Sequence, residues 1–257
     1  MSEHLTLVKV GGKVVEEPAS LHDFLVHFLQ IEGLKVLIHG GGRSATTMAS
    51  RLGLEARMVD GRRITDQAML EVVTMVYGGL VNKNMVAALQ SLGTNAIGLT
   101  GADLNYMLAV KRPVKAIDYG FVGDVTHVRT RELTLLIDQG VVPVLAPLTH
   151  DGNGQLLNTN ADTIAAEAAV ALSTAYQTEL VFCFEKPGVL RDAEDDRSLI
   201  SALNYDQFKG LQAAGAIHAG MVPKLDNSFD AIKRGVSRVR ITNIPGLQSG
   251  GTTLLPG

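Results

Sequence analysis

The sequence predicts an α/β fold built on a parallel β-sheet with crossover helices. Short β-rich runs alternate with segments of helical periodicity along the 257 residues, which is the pattern of parallel strands joined by helices. The composition agrees, because 46% of the residues are hydrophobic and 19% are charged. A chain of this length can bury a large core, in one domain or in two closely joined lobes.

The N-terminal part predicts strand, helix, strand and helix in that order. Residues 5–10 and 36–39 are apolar runs of strand length, and the second runs directly into three glycines. A helix over residues 44–52 follows them. Between the two strands, apolar residues recur at helical spacing and form one face of a helix: Leu21, Phe24, Leu25, Phe28 and Leu29.

A long helix is predicted from about residue 66 to residue 92, with Thr65 placed to cap it. Gly78 and Gly79 lie in its interior, where each glycine costs roughly 1 kcal/mol of helix stability. The pair marks either a kink or a place where another helix packs closely, in this chain or in a second subunit.

The remaining chain predicts further strands and helices without repeats or linkers. Buried strands are expected at residues 96–99, 141–145, 180–184 and 239–242, and helices near Asn160 and over residues 206–214 and 221–234. Residues 114–128 alternate in the manner of a hairpin lying over the sheet. The run Asp151-Gly152-Asn153-Gly154 signals a second hairpin.

Charge and hydropathy exclude several classes of protein. The formal net charge of −3 gives no general attraction to nucleic acid or to an anionic membrane. The N-terminus lacks a basic region followed by a long apolar stretch, and no apolar run is expected to reach membrane-spanning length. We therefore expect a cytoplasmic protein. Its single cysteine, Cys183, lies in an apolar run and is interpreted as a core residue.

Two glycine clusters are the main indication of a binding site. Neither the G-x-x-x-x-G-K-[ST] loop nor a G-x-G-x-x-G loop after a strand is present, so a P-loop or dinucleotide fold is not expected. Gly11-Gly12 and Gly40-Gly41-Gly42 instead each follow a predicted strand and precede a helix. Glycines there let backbone N–H groups approach an anion closely. Each cluster alone could be a tight turn, but two on neighbouring strands predict an anion site.

Several polar residues are candidates for that site, although each has an ordinary structural explanation. Lys9 interrupts an apolar strand and needs either solvent or a partner. Lys224 could be a solvated helix residue. Arg63 could be exposed or could hold a carboxylate through its bidentate fork. In the segment from Asn158 to Asp162, short polar residues could serve only to cap a helix.

Together these segments resemble the amino-acid kinase superfamily, and within it the acetylglutamate kinase branch. They occur in family order across nearly the whole chain. The arginine and asparagine–aspartate segments point to the acylglutamate branch. The matching pieces are Lys9-Val10-Gly11-Gly12, His39-Gly40-Gly41-Gly42, Gly61-Arg62-Arg63-Ile64-Thr65, Asp118-Tyr119-Gly120-Phe121-Val122-Gly123, Asn158-Thr159-Asn160-Ala161-Asp162, Gly220-Met221-Val222-Pro223-Lys224 and Gly251-Thr252.

The resemblance implies a three-layer αβα sandwich around a central, mainly parallel sheet. An N-terminal lobe, residues 1–175, is expected to bind the acylglutamate and to form a dimer interface. A C-terminal lobe, residues 176–257, is expected to bind ATP, which carries Mg²⁺ with it, so no protein metal site is expected. The implied reaction is phosphorylation of the γ-carboxylate of N-acetyl-L-glutamate, a step of arginine biosynthesis.

The resemblance also implies roles for individual residues. Lys9 and Lys224 would flank the transferring phosphoryl group, and Asp162 would orient both. Arg63 and Asn158 would hold the α-carboxylate and amide region of the substrate. Backbone groups of Gly41 and Gly42 would contact substrate oxygens. The implied phosphate and nucleotide contacts are Gly11, Gly12, Glu185, Gly188, Leu190, Ile217 and His218.

The implied chemistry suits the residues. A carboxylate acceptor has an ordinary pKa of ~4.3 and is already ionised at neutral pH, so no general base is required. What must be supplied is stabilisation of negative charge, which lysines, backbone N–H groups and Mg²⁺ provide. After its fifth strand the family usually has Ser/Thr-Asp, two variable residues and Gly-Val/Ile. This chain keeps an acid at Glu185 and the turn at Gly188, but it lacks the hydroxyl.

The assembly and the exact substrate are less closely determined by the sequence. The first strand begins about four residues from the N-terminus, without the extra helix that arginine-regulated hexameric relatives use, so an arginine-insensitive homodimer joined through the long helix is expected. N-succinyl-L-glutamate could replace the acetyl substrate. The sequence also leaves open a nucleoside-monophosphate kinase of the same superfamily and a non-catalytic sensing protein on this scaffold.

Overall fold

The structure, a computed structural model, describes residues 3–59, 61–192, 194–215, 217 and 221–256; the side chains of Lys13 and Pro223 are outside the description. The strands are β1 (His4–Val10), β2 (Leu34–His39), β3 (Met58–Val59), β4 (Arg62–Arg63), β5 (Ala96–Leu99), β6 (Met107–Lys111), β7 (Gly123–Val128), β8 (Val142–Leu145), β9 (Leu148–His150), β10 (Leu156–Asn158), β11 (Gln177–Cys183), β12 (Ala202–Leu203), β13 (Arg238–Thr242) and β14 (Thr252–Leu254).

Helices connect these strands. The α-helices are α1 (Lys13–Glu16), α2 (Pro18–Leu29), α3 (Gly42–Arg51), α4 (Gln67–Val73), α5 (Asn82–Ser91), α6 (Thr130–Asp138), α7 (Ala161–Leu172), α8 (Tyr205–Ala213) and α9 (Val222–Lys233). A π-helical segment, Thr74–Val81, joins α4 to α5 without a break. Short 3-10 turns lie at Asp103–Asn105, Asp196–Ser198 and Ile244–Gly246.

The main sheet has the strand order β12-β14-β13-β11-β1-β2-β8-β5 in the described chain. All its neighbouring strands are parallel except β13 and β14, which are antiparallel. A smaller sheet, β10-β9-β6-β7, lies beside it, and β3 pairs with β4. The expectation of a mainly parallel central sheet is confirmed.

Each face of the main sheet carries its own apolar core. On β1, Leu5 and Leu7 face a core shared with α6, α7, α8 and α9, whereas Val8 and Val10 face a core shared with α2, α3, α4 and α5. Because side chains alternate between faces, a strand covered on both sides must be apolar at nearly every position. The result is the three-layer αβα sandwich that the family resemblance implied.

The predicted hairpin over residues 114–128 is wrong in its first arm. The strand that pairs with β7 is β6, which ends at Lys111, and residues 112–122 form the connection. The first part of the alternating segment, before β7, therefore belongs to that connection. Alternation of apolar residues there did not indicate a paired strand. The second hairpin is confirmed, since β9 and β10 pair across the Asp151–Gly154 turn.

The long helix differs from prediction at its start and in its middle. Asp66, not Thr65, caps it, because the Asp66 carboxylate accepts from the Met69 N–H at 2.9 Å. Gly78 lies in the π-helical segment, and a Cβ there would lie 3.4 Å from Leu148 and from Thr100. Gly78 therefore packs closely against side chains of its own chain that are not helical.

The same helix corrects the expectation about apolar runs. Residues Gln67–Ser91 are long and apolar enough to cross a membrane by length and composition alone. However, 44% of the apolar window is buried inside the molecule, and core helices of soluble proteins meet the same criterion. The length and composition of this helix are therefore only weak evidence for a membrane-spanning segment.

A buried ion pair closes the opposite edge of the sheet, at the amino ends of the strands. Arg240 Nε lies 2.5 Å from Glu179 Oε1, and their side chains are only 3% and 9% exposed. Arg240 also donates to the carbonyls of Gly246, Leu247 and Gly250. Arg238 approaches the same carboxylate at 3.6 Å, but its side chain is 49% exposed.

These two arginines provide a matched test of burial. Arg240→Met should lower the free energy of unfolding by about 3 kcal/mol, because it leaves a buried carboxylate and three carbonyls without their donor. Arg238→Met should cost less than about 1 kcal/mol, since its ion pair is screened by water. Urea unfolding of both variants measures the difference. Equal losses would show that Arg240 does not anchor this edge.

Candidate active site

The carboxyl ends of the central parallel strands meet at one edge of the main sheet. Val10 at the end of β1 is paired with His39 at the end of β2 and with Cys183 at the end of β11. The two glycine clusters therefore begin side by side, and the Gly40 N–H donates to the Val10 carbonyl at 2.9 Å. The prediction that they follow neighbouring strands is confirmed.

Three charged side chains converge at this edge. Lys9 Nζ lies 2.8 Å from Asp162 Oδ1, and Lys224 Nζ lies 2.7 Å from Asp162 Oδ2. The side chains are mostly buried, at 15%, 21% and 16% exposed for Lys9, Asp162 and Lys224. Neither lysine is a solvated surface residue, and one carboxylate holds both ammonium groups.

Burial and charge act in opposite directions on this cluster. Burial alone would raise the pKa of Asp162, but the two ammonium groups and their hydrogen bonds outweigh it and hold that pKa well below the usual range. Burial lowers the pKa of Lys224, and the adjacent Asp162 carboxylate counteracts the effect. The folded structure therefore strongly favours the ionised form of Asp162.

Local structure explains where each charged group lies. Asn160 caps α7 by accepting from the N–H groups of Asp162 and Thr163, so Asp162 occupies the first turn, where a carboxylate favours the helix dipole. Lys224 is in the first turn of α9, in which Pro223 is tolerated because its missing N–H would have no intrahelical partner. The Lys224 ammonium lies 5.0 Å from the Phe182 ring centroid.

Cys183 is the core residue that the sequence predicted. It is 1% exposed at the end of β11. Burial raises the pKa of its thiol to about 12, against a smaller opposing effect of Lys9. A neutral, buried thiol is a poor nucleophile.

Next to the charged cluster is a pocket of about 180 Å³. It opens beside the glycine loop after β2 and the start of α7. The lining includes all four residues that the sequence assigned to the substrate: Gly41, Gly42, Arg63 and Asn158. Their role in binding stays a prediction.

Arg63 is held rigidly in the pocket wall rather than exposed. It is 6% exposed, and its Nη2 donates to the Gly42 carbonyl at 2.7 Å and to Thr46 Oγ1 at 2.8 Å. Burial raises the pKa of the neighbouring Tyr77, and the charge of Arg63 partly opposes that effect. The arginine thus ties the glycine loop to β4 and supplies positive charge to the pocket.

Asn158 is positioned by both its backbone and its side chain. Its N–H donates to the Phe121 carbonyl at 2.9 Å, and its Nδ2 donates to Thr65 Oγ1 at 2.9 Å. It is 8% exposed at the end of β10. The side-chain carbonyl remains available to a ligand in the pocket that carries an N–H donor.

Glycine is required at specific points of the loops. A Cβ on Gly11 would lie 2.8 Å from Lys9 Nζ, so a larger residue would displace the ammonium. Gly12 has a φ of 63°, and a Cβ there would lie 2.9 Å from Glu185 Oε1. Gly41 has a φ of 150°, and its Cβ would lie 2.9 Å from the Tyr77 ring. The Lys9 ammonium can approach Gly11, and the Tyr77 ring can approach Gly41, only because glycine has no side chain.

The described residues assigned to the nucleotide fall into two groups: Gly11 and Gly12 lie in the turn after β1, and the others follow β11 in the chain. Gly188 adopts a φ of 159°, and a Cβ there would lie 2.9 Å from the Thr252 N atom. Leu190 forms an isolated bridge with Leu199. Ile217 is 8% exposed and packs in the core with α7 and α9. His218 lies outside the described residues, and the nucleotide role of all these positions stays a prediction.

Sequence reasoning missed Tyr77 and Asn82. Tyr77 lines the pocket and packs on Gly41, and Asn82 is 1% exposed behind the glycine loop. Both lie in the long helix, which was interpreted as an apolar element. The available signal was Asn82, a polar amide in a largely apolar helix. A buried amide requires hydrogen-bond partners, which would have pointed to a polar contact behind the helix.

No cluster of three or more His, Cys, Asp or Glu side chains that could hold a metal ion occurs among the described residues. At the active edge, both oxygens of Asp162 are occupied by ammonium groups. In this arrangement the two ammonium groups compete with any metal ion for the Asp162 carboxylate.

Known proteins resemble this chain in sequence and in fold. Residues 4–243 match the profile of the Amino acid kinase family. A protein named acetylglutamate kinase from Phocaeicola vulgatus is 59% identical over 99% of each chain, and one from Bacteroides thetaiotaomicron is 61% identical over 94% of each. The structure of smu.665 from Streptococcus mutans superposes with a TM-score of 0.79 at 25% identity, covering 98% of this chain and 99% of that one.

The charged cluster predicts a stability effect that is independent of activity. Asp162→Asn leaves two mostly buried ammonium groups facing each other, so we expect the free energy of unfolding to fall by about 2 kcal/mol, or Tm by ~4–8 °C. The double variant Asp162→Asn/Lys9→Met should regain part of the loss, because it removes the repulsion. Thermal and urea unfolding at pH 7 measure both.

The pH dependence of that effect has a defined sign. The pKa of Asp162 is lower in the folded chain than in the unfolded one, so its contribution is present above about pH 4 and is lost as the pH falls further. The difference between wild type and Asp162→Asn should shrink in acid. An Asp162→Asn variant as stable as wild type at pH 7 would show that the carboxylate does not hold the lysines together.

Proposed function

The chain belongs to the amino acid kinase family, and from that premise we propose that it is an acetylglutamate kinase, which transfers the γ-phosphoryl group of ATP to the side-chain carboxylate of N-acetyl-L-glutamate. Relatives about 60% identical over nearly the full length carry that name. The observation that carries the proposal is the convergence of Lys9 and Lys224 on Asp162 beside a pocket walled by Arg63 and glycine backbone.

The reaction forms one bond and breaks one. A γ-carboxylate oxygen of the substrate attacks the γ-phosphorus of ATP, and the bond from that phosphorus to the β,γ-bridging oxygen breaks. The products are an acyl phosphate and ADP. No proton transfer is needed, because the attacking carboxylate is already ionised and ADP leaves as an anion, whose charge Mg²⁺ bound to the nucleotide would help to stabilise.

The two lysines would overcome the repulsion between anionic reactants. Each ammonium group can donate to oxygens of the transferring phosphoryl group, from opposite sides of Asp162. A low-dielectric site strengthens such contacts, and preorganised donors need not reorient as charge develops. Asp162 would keep both lysines in place when the site is empty, and it leaves the cluster with net positive charge for the phosphates.

The pocket supplies complementary groups for the acylglutamate. The Arg63 guanidinium would attract the α-carboxylate, and the Asn158 side-chain carbonyl would accept from the substrate amide N–H. Backbone N–H groups of the glycine loop would contact carboxylate oxygens. Arg62 also lines the pocket and adds a second cation to its wall.

The nucleotide would bind across the carboxyl ends of β11 and β13. Gly12 and Glu185 already approach each other there, and Gly188 makes the turn that follows β11. Mg²⁺ would enter with ATP, coordinated by phosphate oxygens. The acyl phosphate would feed arginine biosynthesis, and we place the enzyme in the cytoplasm.

A hydroxylamine-trapping assay with Mg-ATP tests the proposal directly, because an acyl phosphate is converted to a coloured hydroxamate. We expect hydroxamate with N-acetyl-L-glutamate. Lys9→Ala and Lys224→Ala should each reduce turnover by ~10²–10³-fold with the fold intact, because each removes one charge-stabilising contact. Lys209→Ala is the matched control, since Lys209 is paired with Asp226 at 2.8 Å but lies outside the site and is 40% exposed.

The same assay distinguishes the competing functions. Hydroxamate with N-succinyl-L-glutamate but not with the acetyl substrate would move the assignment to the larger acyl group. Absence of product with either substrate, together with phosphorylation of a nucleoside monophosphate or no ATP turnover at all, would overturn the acylglutamate assignment. Near-normal turnover in either lysine variant would remove that residue from the mechanism.

We also propose that the enzyme is a homodimer joined through the π-helical segment. Met75 and Leu80 are 54% and 48% exposed, and they are five residues apart, which places them on the same face of a π-helix. Gly79 between them has no neighbouring atoms within 4 Å of a built Cβ, so a second subunit can approach the backbone.

Light scattering tests the dimer. We expect twice the chain mass for wild type and a monomer for Met75→Lys/Leu80→Glu, because charges at the centre of an apolar interface would be desolvated on association. Leu135→Glu, at a 61% exposed leucine on α6, should remain dimeric. A monomeric or hexameric wild type would contradict this assembly.

A further inference from the structure

His39 is a fully buried histidine that the proposed mechanism does not use. It is the last residue of β2, immediately before the glycine loop, and it is 0% exposed. Its Nδ1 lies 2.6 Å from the Gly40 carbonyl oxygen, and its Nε2 lies 3.1 Å from Asn82 Nδ2. Both ring nitrogens therefore have partners inside the protein.

The surrounding hydrogen bonds determine the tautomer. The Asn82 side-chain oxygen accepts from Lys83 Nζ at 3.1 Å, so the other end of the amide is its NH₂ group. That NH₂ donates to the Val144 carbonyl at 2.9 Å and to His39 Nε2. Nε2 must then be the acceptor, and Nδ1 carries the proton that is donated to Gly40.

The electrostatic surroundings keep this imidazole neutral. Burial lowers the pKa of His39 to about 4, although its bond to Gly40 works in the opposite direction. The charged groups that act on it are Lys83 from α5 and Lys9 from β1, and both disfavour imidazolium. A neutral ring has one donor and one acceptor, which is what the two partners require.

Asn82 is itself held without freedom to move. It begins α5, directly after the segment that carries Tyr77 against Gly41. Lys83, which fixes the Asn82 oxygen, also donates to the Gly98 carbonyl on β5 at 3.0 Å. A Cβ on Gly98 would lie 1.7 Å from the Asn82 oxygen, so only glycine leaves room for this amide.

The chain of contacts ends on one peptide group of the pocket. The Gly40 N–H is bound to Val10, and the Gly40 carbonyl is bound to His39. Because a trans peptide is planar, fixing the Gly40 carbonyl also sets the direction of the Gly41 N–H, which points the opposite way. Gly41 lines the pocket and has a φ of 150°, a backbone conformation that residues with a side chain rarely adopt.

We propose that His39 is a positioning residue for the acceptor substrate: held by Asn82, its Nδ1–H anchors the Gly40 carbonyl and thereby orients the Gly41 N–H that binds the acylglutamate. The inference rests on the proposed function for its substrate. The assignment of the ring nitrogens and of the Gly40 anchor stands on geometry alone.

Three substitutions separate the two ends of the ring. His39→Asn places an amide N–H where Nδ1 was, His39→Gln places an amide where Nε2 was, and His39→Leu supplies neither. We expect KM for N-acetyl-L-glutamate to rise about tenfold in His39→Leu and His39→Gln, the effect of losing one buried hydrogen bond, and about threefold or less in His39→Asn. KM for ATP should change less than about twofold in all three.

A control distinguishes positioning from general destabilisation. Tyr176→Phe removes a hydrogen bond from a mostly buried tyrosine to Asp138, 2.6 Å long, in the loop that precedes β11. It should lower Tm by an amount similar to that of the His39 variants without altering either KM. Equal KM changes for acceptor and nucleotide, or no rescue by His39→Asn relative to His39→Leu, would overturn the proposal.

A measurement that does not depend on turnover completes the test. In protein with ¹⁵N-labelled histidine, NMR should show a neutral Nδ1–H ring that does not titrate between about pH 5.5 and 8. Its signals are assigned among the seven histidines by their loss in His39→Asn. An Nε2–H tautomer, or a titration of the His39 ring with its midpoint near pH 6.5, would overturn the proposal even if the kinase activity is confirmed. Failure of hydroxamate formation in wild type would instead refute the proposed function.

Discussion

The site depends on one carboxylate that holds two ammonium groups. Lys9 comes from a central strand, Asp162 from the first turn of α7 and Lys224 from the first turn of α9, yet the three meet within hydrogen-bonding distance. Buried like charges repel strongly, and two lysines could not share this space without a compensating anion. The pKa of Asp162 is lowered because the two lysines stabilise its charged form.

Parallel strand order explains why this edge can hold such a cluster. The carboxyl ends of adjacent parallel strands lie together, and ligands of open α/β sheets bind outside those ends. Here the ends of β11, β1 and β2 lie side by side, which brings the Lys9–Gly12 turn and the Gly40–Gly42 loop together. At the amino ends of the strands, the buried charges of Arg240 and Glu179 pair with each other. At the carboxyl ends, two lysines share one carboxylate and leave a net positive charge.

Rigidity around the pocket comes from polar side chains buried behind the glycines. Arg63 donates a hydrogen bond to the Gly42 carbonyl, and His39 donates one to the Gly40 carbonyl, so both ends of the loop are anchored. Glycine allows the chain to turn there, but glycine by itself makes a loop mobile. The buried donors supply the order that glycine lacks, and a further glycine, Gly98, leaves room for the Asn82 amide that contacts His39.

The amino-acid sequence by itself determined the fold class, the order of the central strands and the two glycine turns, because hydrophobic periodicity and turn residues are local properties. Its motifs also pointed to Lys9, Asp162 and Lys224. Only the tertiary structure decided that Arg63 is buried, that Asp66 rather than Thr65 caps the long helix, and that β6 rather than residues after 112 pairs with β7. It alone brought Asn82 to His39, 43 residues earlier in the chain. Such contacts depend on which strands become neighbours and on what packs behind them, and neither is encoded in any short segment.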